Sequence, residues 1–166
     1  MPTAAELNGH SGDNEIGTPD DLFAELDRRF QFQYDAFASL ENALCSAFST
    51  KDGTYRSDPG EYPHVFSLAD GLAYPWANLS VFWNPPYGRG IFRQAIEKAI
   101  EERNSVRRSV GLVKYDASTE NGRLLRENFH LEYLPRIKYK GMSTAATFTS
   151  VIAINRPDRW RAKGAK

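Results

Sequence analysis

The tetrapeptide Asn84-Pro85-Pro86-Tyr87 combines residue types that can hold a planar group carrying an NH₂. The two prolines fix their backbone φ angles and lack backbone N–H groups, so the segment offers carbonyl oxygens without competing donors. The Asn84 side chain adds an amide oxygen that accepts hydrogen bonds, and Tyr87 adds a flat aromatic face. Two acceptors and a ring would hold a planar amine in one orientation.

This arrangement suits methylation of an amine whose lone pair is delocalised into a ring. Acceptors on both N–H groups favour the tetrahedral nitrogen that forms as the amine attacks, which is stabilisation aimed at the transition state. The methyl donor would be S-adenosylmethionine, with a thioether as leaving group and no metal. Alignment of nitrogen, methyl carbon and sulfur would supply much of the rate. We interpret Asn84, Pro85, Pro86 and Tyr87 as the catalytic residues.

Strands alternate with helices around the tetrapeptide, which predicts an α/β domain with a largely parallel sheet. The patterns predict strands at 30–34, 43–48, 64–68, 79–83, 109–113, 131–134 and 147–154, and helices at 18–29, 40–45, 90–104 and 118–128. Thr18 is expected to cap the first helix. Asp35, Asp70 and Asn84 each follow a predicted strand. Because ligands bind beyond the carboxyl ends of such strands, we expect these three residues to share one site.

Composition restricts the class of protein. The chain has 166 residues, of which 13% are aromatic and 25% charged, and this is typical of a single globular domain. Cys45 is the only cysteine, so no intramolecular disulfide can form, and no Cys/His cluster resembles a metal site. No signal peptide and no transmembrane segment is visible, and we expect a cytoplasmic protein.

Charge is unevenly distributed although the net charge is zero. Residues 1–62 carry 12 acidic and 4 basic side chains, whereas residues 103–166 carry 5 acidic and 14 basic ones. The basic part could bind phosphates by charge alone, but a solvated surface with a basic tail would show the same asymmetry. We predict a disordered arm at 1–17, one domain at 18–156 and a basic tail at 157–166.

Several further motifs stand in a fixed order along the chain. They are Thr18-Pro19-x-x-Leu22-Phe23, Phe32-x-x-Asp35-Ala36-x-Ala38-Ser39, Asn42-Ala43-x-Cys45, Asp70-Gly71-Leu72 followed by Trp76, and Val81-Phe82 ahead of N-P-P-Y. Together they resemble the phage-type DNA N6-adenine methyltransferase (Dam) family over residues 18–155. The resemblance implies a Rossmann-like methyltransferase fold, with a mostly parallel central sheet, a C-terminal antiparallel strand and helices on both faces.

The resemblance also implies an activity, which is site-specific methylation of adenine N6 in double-stranded DNA by S-adenosylmethionine, with the target base flipped into the N-P-P-Y pocket. It implies cofactor-binding roles for Thr18, Pro19, Asp35, Ala36, Ser39, Asp70, Gly71 and Leu72. Thr18 and Pro19 would lie near the methionine end of the cofactor, and Asp70 near its adenine ring. Members of this family are encoded mostly by bacteriophages and prophages, which implies a bacterial host cytoplasm.

No separate part of the chain is left over for reading DNA sequence. We therefore expect loops to contact the duplex, mainly at phosphates, which position DNA without reading it. The basic residues assigned to this role are Arg89, Arg93, Arg136, Lys138 and Lys140. Relaxed sequence specificity, or a homo-oligomer that completes the DNA clamp, would follow.

Two other interpretations stay open at this point. N-P-P-Y also occurs in methyltransferases that act on RNA bases or on protein glutamine, because each of these targets is a planar NH₂. An inactive methyltransferase-like module that binds nucleic acid through the basic C-terminal third is the other alternative.

Overall fold

A computed structural model of the chain describes residues 17–38, 42–50, 55–56, 71–88 and 90–158. The described residues form three α-helices and seven strands. The helices are α1 (Asp20–Phe30), α2 (Ile91–Glu101) and α3 (Glu120–Asn128), and a 3₁₀ turn at Glu102–Asn104 follows α2. The strands are β1 (Tyr34–Ala38), β2 (Ala47–Thr50), β3 (Tyr55–Arg56), β4 (Ser80–Trp83), β5 (Arg108–Tyr115), β6 (Phe129–Tyr133) and β7 (Thr149–Asn155).

All seven strands join one sheet in the order β3-β2-β1-β4-β5-β7-β6. β1 pairs in parallel with β2 and β4, and β4 pairs in parallel with β5. β7 lies antiparallel between β5 and β6, and β3 is antiparallel to β2. Five of the seven described strands run in one direction, while β3 and β7 run in the other, so the sheet is mostly parallel. The predicted α/β class with a C-terminal antiparallel strand is confirmed.

Helices cover both faces of the sheet. On one face, the apolar sides of α2 and α3 pack against Trp83, Val113 and Phe129. On the other face, α1 and the segment 134–148 pack against Phe82 and Leu112. Alternate residues of the central strands serve the two cores, which explains why β4 is buried throughout.

The predicted strand at 30–34 is wrong, because the helix before it runs longer. Phe30 is the last residue of α1, and Gln31 takes a left-handed conformation with φ of 52°. The Asp27 carboxylate then accepts a hydrogen bond from the Phe32 N–H at 2.8 Å. Apolar and polar residues alternate around Phe32 because its ring packs under the sheet against Phe82, with ring centroids 5.4 Å apart, and not because the segment is a strand. Sheet pairing begins only at Tyr34.

Other predicted boundaries also moved. The helical turn predicted at 40–45 is not formed over 42–45, and β2 begins four residues later than the predicted strand at 43–48. β3 lies between the strands predicted at 43–48 and 64–68, where no strand was predicted. The predicted strand at 64–68 falls outside the described residues. The remaining predicted helices and strands are confirmed with shifts at their ends.

A close contact between β4 and β5 limits what position 111 can hold. Trp83 and Gly111 are paired across the two strands. The Trp83 indole is fully buried, and its Nε1 donates to the Ser109 hydroxyl at 3.0 Å. A Cβ atom on Gly111 would lie 2.4 Å from indole carbon Cε2. Glycine is therefore required here by the space that the indole takes.

We expect Gly111→Ala to lower the free energy of unfolding by about 1–3 kcal/mol, since the indole must shift within a packed core. For a domain of this size each kcal/mol lowers Tm by about 2–4 °C, which thermal denaturation can measure. The control is the same substitution in a Trp83→Phe background, where the smaller ring leaves room and the added cost should shrink. An equal cost in both backgrounds would contradict the contact.

Candidate functional site

Asn84 follows β4 at the carboxyl edge of the sheet and is held by Thr18, two residues before α1. The Asn84 Nδ2 donates to the Thr18 hydroxyl oxygen at 3.1 Å. The Thr18 side chain is 4% exposed and forms no capping bond to α1, whose N-cap is Pro19, so the expected capping role of Thr18 is wrong. The bond orients the amide plane and turns the amide oxygen Oδ1 away from Thr18.

Thr18 is itself held in place by a strand-like contact at the residue before it. Gly17 and Lys140 form an antiparallel bridge with backbone hydrogen bonds of 2.8 and 3.4 Å. Lys140 belongs to the segment 134–148 that connects β6 to β7. The residues before α1 are therefore held between the end of β4 and this connection.

The prolines make the chain between β4 and α2 rigid. Pro85 is buried and Pro86 is half-buried. The turn after them closes with the Ile91 N–H donating to the Gly88 carbonyl oxygen at 3.1 Å, and Gly90 takes a φ of 76° before α2 begins. Asn84 is thus fixed from both sides, by the buried strand before it and by this turn after it.

The Tyr87 ring is positioned by side chains from three elements. Phe92 of α2 and Phe148 before β7 contact it edge-to-face, with centroids 5.2 and 5.8 Å away. The Lys114 ammonium of β5 lies 5.3 Å from the ring centroid. The hydroxyl is buried beside Tyr139 without a well-formed hydrogen bond to any described residue, and burial raises the pKa of Tyr87 well above its usual range. The ring is therefore anchored rather than loosely exposed.

Ala36 and Gly71, both expected near the cofactor, lie against each other. A Cβ atom on Gly71 would stand 1.8 Å from the Ala36 carbonyl oxygen, so only glycine fits. The buried Trp76 donates from its indole nitrogen to the Gly71 carbonyl oxygen at 3.0 Å and fixes this turn on β1. Leu72 packs half-buried on the same core. The turn at 71–72 is therefore held at the strand beside β4.

Asp35 lies inside β1, paired with Phe82 of β4, and not after the strand as the sequence suggested. Its side chain is 3% exposed. The carboxylate accepts long hydrogen bonds from the N–H groups of Phe37 and Leu44, at 3.4 and 3.3 Å. Burial and the nearby Asp35 charge raise the pKa of Cys45. Asp35 thus organises the chain that leaves β1.

The basic residues assigned to DNA differ in their surroundings. The Arg93 guanidinium bonds to Glu97 at 2.6 Å and to Asn121 at 3.5 Å, and the Lys140 ammonium pairs with Asp20. Arg136 and Lys138 are exposed and form no ion pair with another described residue. Three further expected site residues, Ser39, Asp70 and Arg89, lie outside the part of the chain that the structure describes.

The structure therefore brings together Asn84, Thr18 and Tyr87 at one edge, with the Ala36–Gly71 contact on the neighbouring strand. Sequence reasoning missed three side chains that support them, namely Lys114, Phe148 and Tyr139, and it named Trp76 as part of a motif without giving it a role. The alternation of 136–140, with exposed cations at even positions, was a signal for the buried Tyr139. The contacts of Lys114 and Phe148 depend on tertiary packing and left no local pattern.

Two negative observations concern the described residues alone. No group of three or more His, Cys, Asp or Glu side chains among them is arranged to hold a metal ion. None of their helices has both the length and the apolar character that a membrane crossing needs.

Comparison with known families supplies an independent finding. The family model described as "DNA N-6-adenine-methyltransferase (Dam)" matches residues 9–147, which is more than half of the chain. The matched range spans N-P-P-Y, the segment around Thr18 and the turn at Gly71, and the match confirms the family that the motifs resemble. No curated protein matches the chain.

Glu102 stabilises part of this site, and its contribution to stability depends on pH. Burial disfavours its carboxylate, but hydrogen bonds from Lys98, Ser105 and the Trp76 N–H outweigh burial and hold the pKa of Glu102 below its ordinary value of 4.5. Because Trp76 also bonds to Gly71, Glu102 supports the Ala36–Gly71 contact from behind. The stabilisation is complete above about pH 4.5 and is lost as the pH falls through the lower folded-state pKa.

We expect Glu102→Gln to lower stability at neutral pH by about 1 kcal/mol, or about 2–4 °C in Tm. The difference from wild type should shrink as the pH falls below about 4.5. Glu97→Gln is the matched control, since Glu97 pairs with Arg93 at the surface and such pairs contribute little. A Glu102→Gln difference that stays constant across this pH range would contradict the assignment.

Proposed function

The chain belongs to the DNA N-6-adenine-methyltransferase (Dam) family, and from this premise we propose that it transfers a methyl group from S-adenosylmethionine to the N6 amine of adenine in DNA. The observation that carries the proposal is the placement of Asn84 at the carboxyl edge of β4, with its amide oriented by the Thr18 hydroxyl. The antiparallel β7 between β5 and β6 supports the Rossmann-like methyltransferase fold that we propose for the domain.

The N-P-P-Y segment would hold the target amine. Asn84 Oδ1 and the Pro85 carbonyl oxygen accept hydrogen bonds from the two N6 hydrogens, which draws the nitrogen towards tetrahedral geometry and makes its lone pair available. The Tyr87 ring, anchored by Phe92 and Phe148, supports the purine. Held in this way, the amine nitrogen would form a bond to the methyl group supplied by the cofactor, which would leave as a thioether, and the extra amine proton would pass to solvent.

The residues on β1 and at its neighbouring turn fit S-adenosylmethionine by their chemistry. The Asp35 carboxylate, buried within β1, is an acceptor for amino or hydroxyl groups. Ala36 and Gly71 pack directly against each other and hold the turn at 71–72 beside this strand. When bound, the cofactor supplies an electrophilic methyl group on a sulfonium. We include Pro19, Ser39, Asp70 and Leu72 in the proposed cofactor set because of the family resemblance.

A duplex must expose its target adenine before Asn84 can reach it, so the proposal includes base flipping. Arg136 and Lys138 carry charge that no described carboxylate neutralises, and they suit DNA phosphates. Arg93 and Lys140 already pair with carboxylates and would contribute less. Arg89 follows the N-P-P-Y-Gly turn directly and completes the proposed DNA set.

The competing interpretations are separated by substrate and by cofactor. The family assignment favours DNA over RNA bases and protein glutamine. An inactive nucleic-acid-binding module would bind DNA but would not bind S-adenosylmethionine. Calorimetry with the cofactor and methyl transfer assayed on duplex DNA, RNA and protein distinguish the three.

Asn84→Ala removes the amide acceptor and should lower methyl transfer to duplex DNA about 100-fold or more. Affinity for S-adenosylmethionine, measured by calorimetry, should change by no more than a few-fold. Gln94→Ala, which removes an exposed amide from α2, is the control and should leave both quantities at wild-type values. Turnover of Asn84→Ala within a few-fold of wild type would refute the acceptor role.

Thr18→Val keeps the shape of the side chain but removes the acceptor that orients Asn84. We expect kcat for methyl transfer to fall about ten-fold, which corresponds to one lost hydrogen bond, with little change in KM for S-adenosylmethionine. Thr18→Ser retains the hydroxyl and should restore kcat. An increase in KM at unchanged kcat would instead indicate the direct cofactor contact that the resemblance implies.

A further inference from the structure

An exposed aromatic pair lies at the same edge of the sheet as the candidate site. Tyr133, at the end of β6, is 62% exposed and is the one large hydrophobic side chain that the described residues leave open to solvent. Its ring meets that of Tyr115 edge-to-face, with centroids 5.5 Å apart at 84°. Arg126 of α3 donates to the Tyr115 hydroxyl at 3.3 Å and lowers the pKa of that phenol. The Tyr133 ring thus packs against Tyr115 on one side and is exposed to solvent on the other.

A cleft adjoins this pair. It has a volume of about 90 Å³ and is lined by the segments 134–136 and 147–150. Thr149, one of its lining residues, is the strand partner of Tyr115. The exposed Arg136 lies on its wall. The cleft therefore lies next to the aromatic pair, since it includes the residue after Tyr133 and the strand partner of Tyr115.

The cleft also connects with the candidate site. Phe148 lines it, and the Phe148 ring contacts the Tyr87 ring with a centroid distance of 5.8 Å. A series of contacts therefore links Tyr87 through Phe148 to the cleft, and through the Thr149–Tyr115 strand pair to the aromatic pair. A DNA strand whose target adenine lay at the N-P-P-Y segment would have these residues beside it.

The charges of this surface are mostly positive. Arg126 and Arg136 carry guanidinium groups, and Lys114 lies over Tyr87. Glu132, the acidic residue of β6, is engaged by Arg29 in a two-bond ion pair on the opposite face of the sheet. Asp116 is the acidic residue next to Tyr115, and its carboxylate accepts from Ser118. An excess of cations around an open aromatic ring suits a nucleic acid.

We propose that the surface formed by Tyr133, Tyr115, Arg126 and Arg136 binds the DNA strand beside the target adenine. Tyr133 stacks on a base that flipping leaves without its neighbour, and Arg136 contacts a phosphate. The inference rests on the proposed function and extends it, because it assigns a base-stacking residue, Tyr133, outside the N-P-P-Y segment and places the proposed phosphate contact of Arg136 beside it.

The two roles predict different salt dependence. In fluorescence anisotropy with a short labelled duplex, Tyr133→Ala should weaken binding about ten-fold at every salt concentration, because stacking releases no counterions. Tyr133→Phe keeps the ring and should bind like wild type. Arg136→Gln should reduce the slope of log affinity against log salt by about one.

Arg107→Gln is the matched charge control. Arg107 is exposed before β5, at the amino edge of the sheet, so its loss should leave the salt slope unchanged. Circular dichroism of each variant checks the fold. Binding of Tyr133→Ala equal to that of wild type, or an equal loss of slope for Arg107→Gln and Arg136→Gln, would overturn the proposal.

Methyl transfer by the wild-type chain on the same duplex separates the two proposals. If the wild type binds this DNA without methylating it, the proposed function fails, while the Tyr133 and Arg136 variants still decide the binding surface. If the wild type methylates DNA and Tyr133→Ala binds normally, the surface proposal alone is wrong.

Discussion

The hydrogen bond between Asn84 and Thr18 is the interaction on which the candidate site depends. It joins the end of the buried β4 to the residue pair that precedes α1. An amide at the end of a strand rotates freely unless a fixed partner holds it, and the Thr18 hydroxyl is fixed because Gly17 pairs with Lys140. Three segments far apart in the chain thus set the direction of one acceptor.

The same edge of the sheet gathers the remaining groups. Parallel strands end at one edge, so β1, β4 and β5 deliver Ala38, Trp83 and Tyr115 to the same side. The turn at Gly71 packs on β1, while Lys114 and Phe148 close around Tyr87 from the other side. Tight packing explains why small or rigid residues occur where they do, as Gly111 under the Trp83 indole illustrates.

Much of this could be predicted from the sequence, and the exceptions have physical reasons. The α/β class followed from the alternation of strands and helices, the family from its ordered motifs, and the antiparallel last strand from the resemblance that these motifs carry. The strand at 30–34 was wrong because Phe30 and Phe32 are apolar for packing beneath the sheet and not for pairing within it. The Thr18–Asn84 bond joins residues 66 positions apart, and no local pattern encodes such a contact.

N6-methyladenine in the genomic DNA of cells that express this chain, mapped by position, is the most direct test of the central claim. An amine acceptor built from Asn84 predicts new N6-methyladenine when the wild-type chain is expressed and none when Asn84→Ala is expressed at the same level. Absence of the modified base with the wild type, or equal amounts with both chains, would contradict the account.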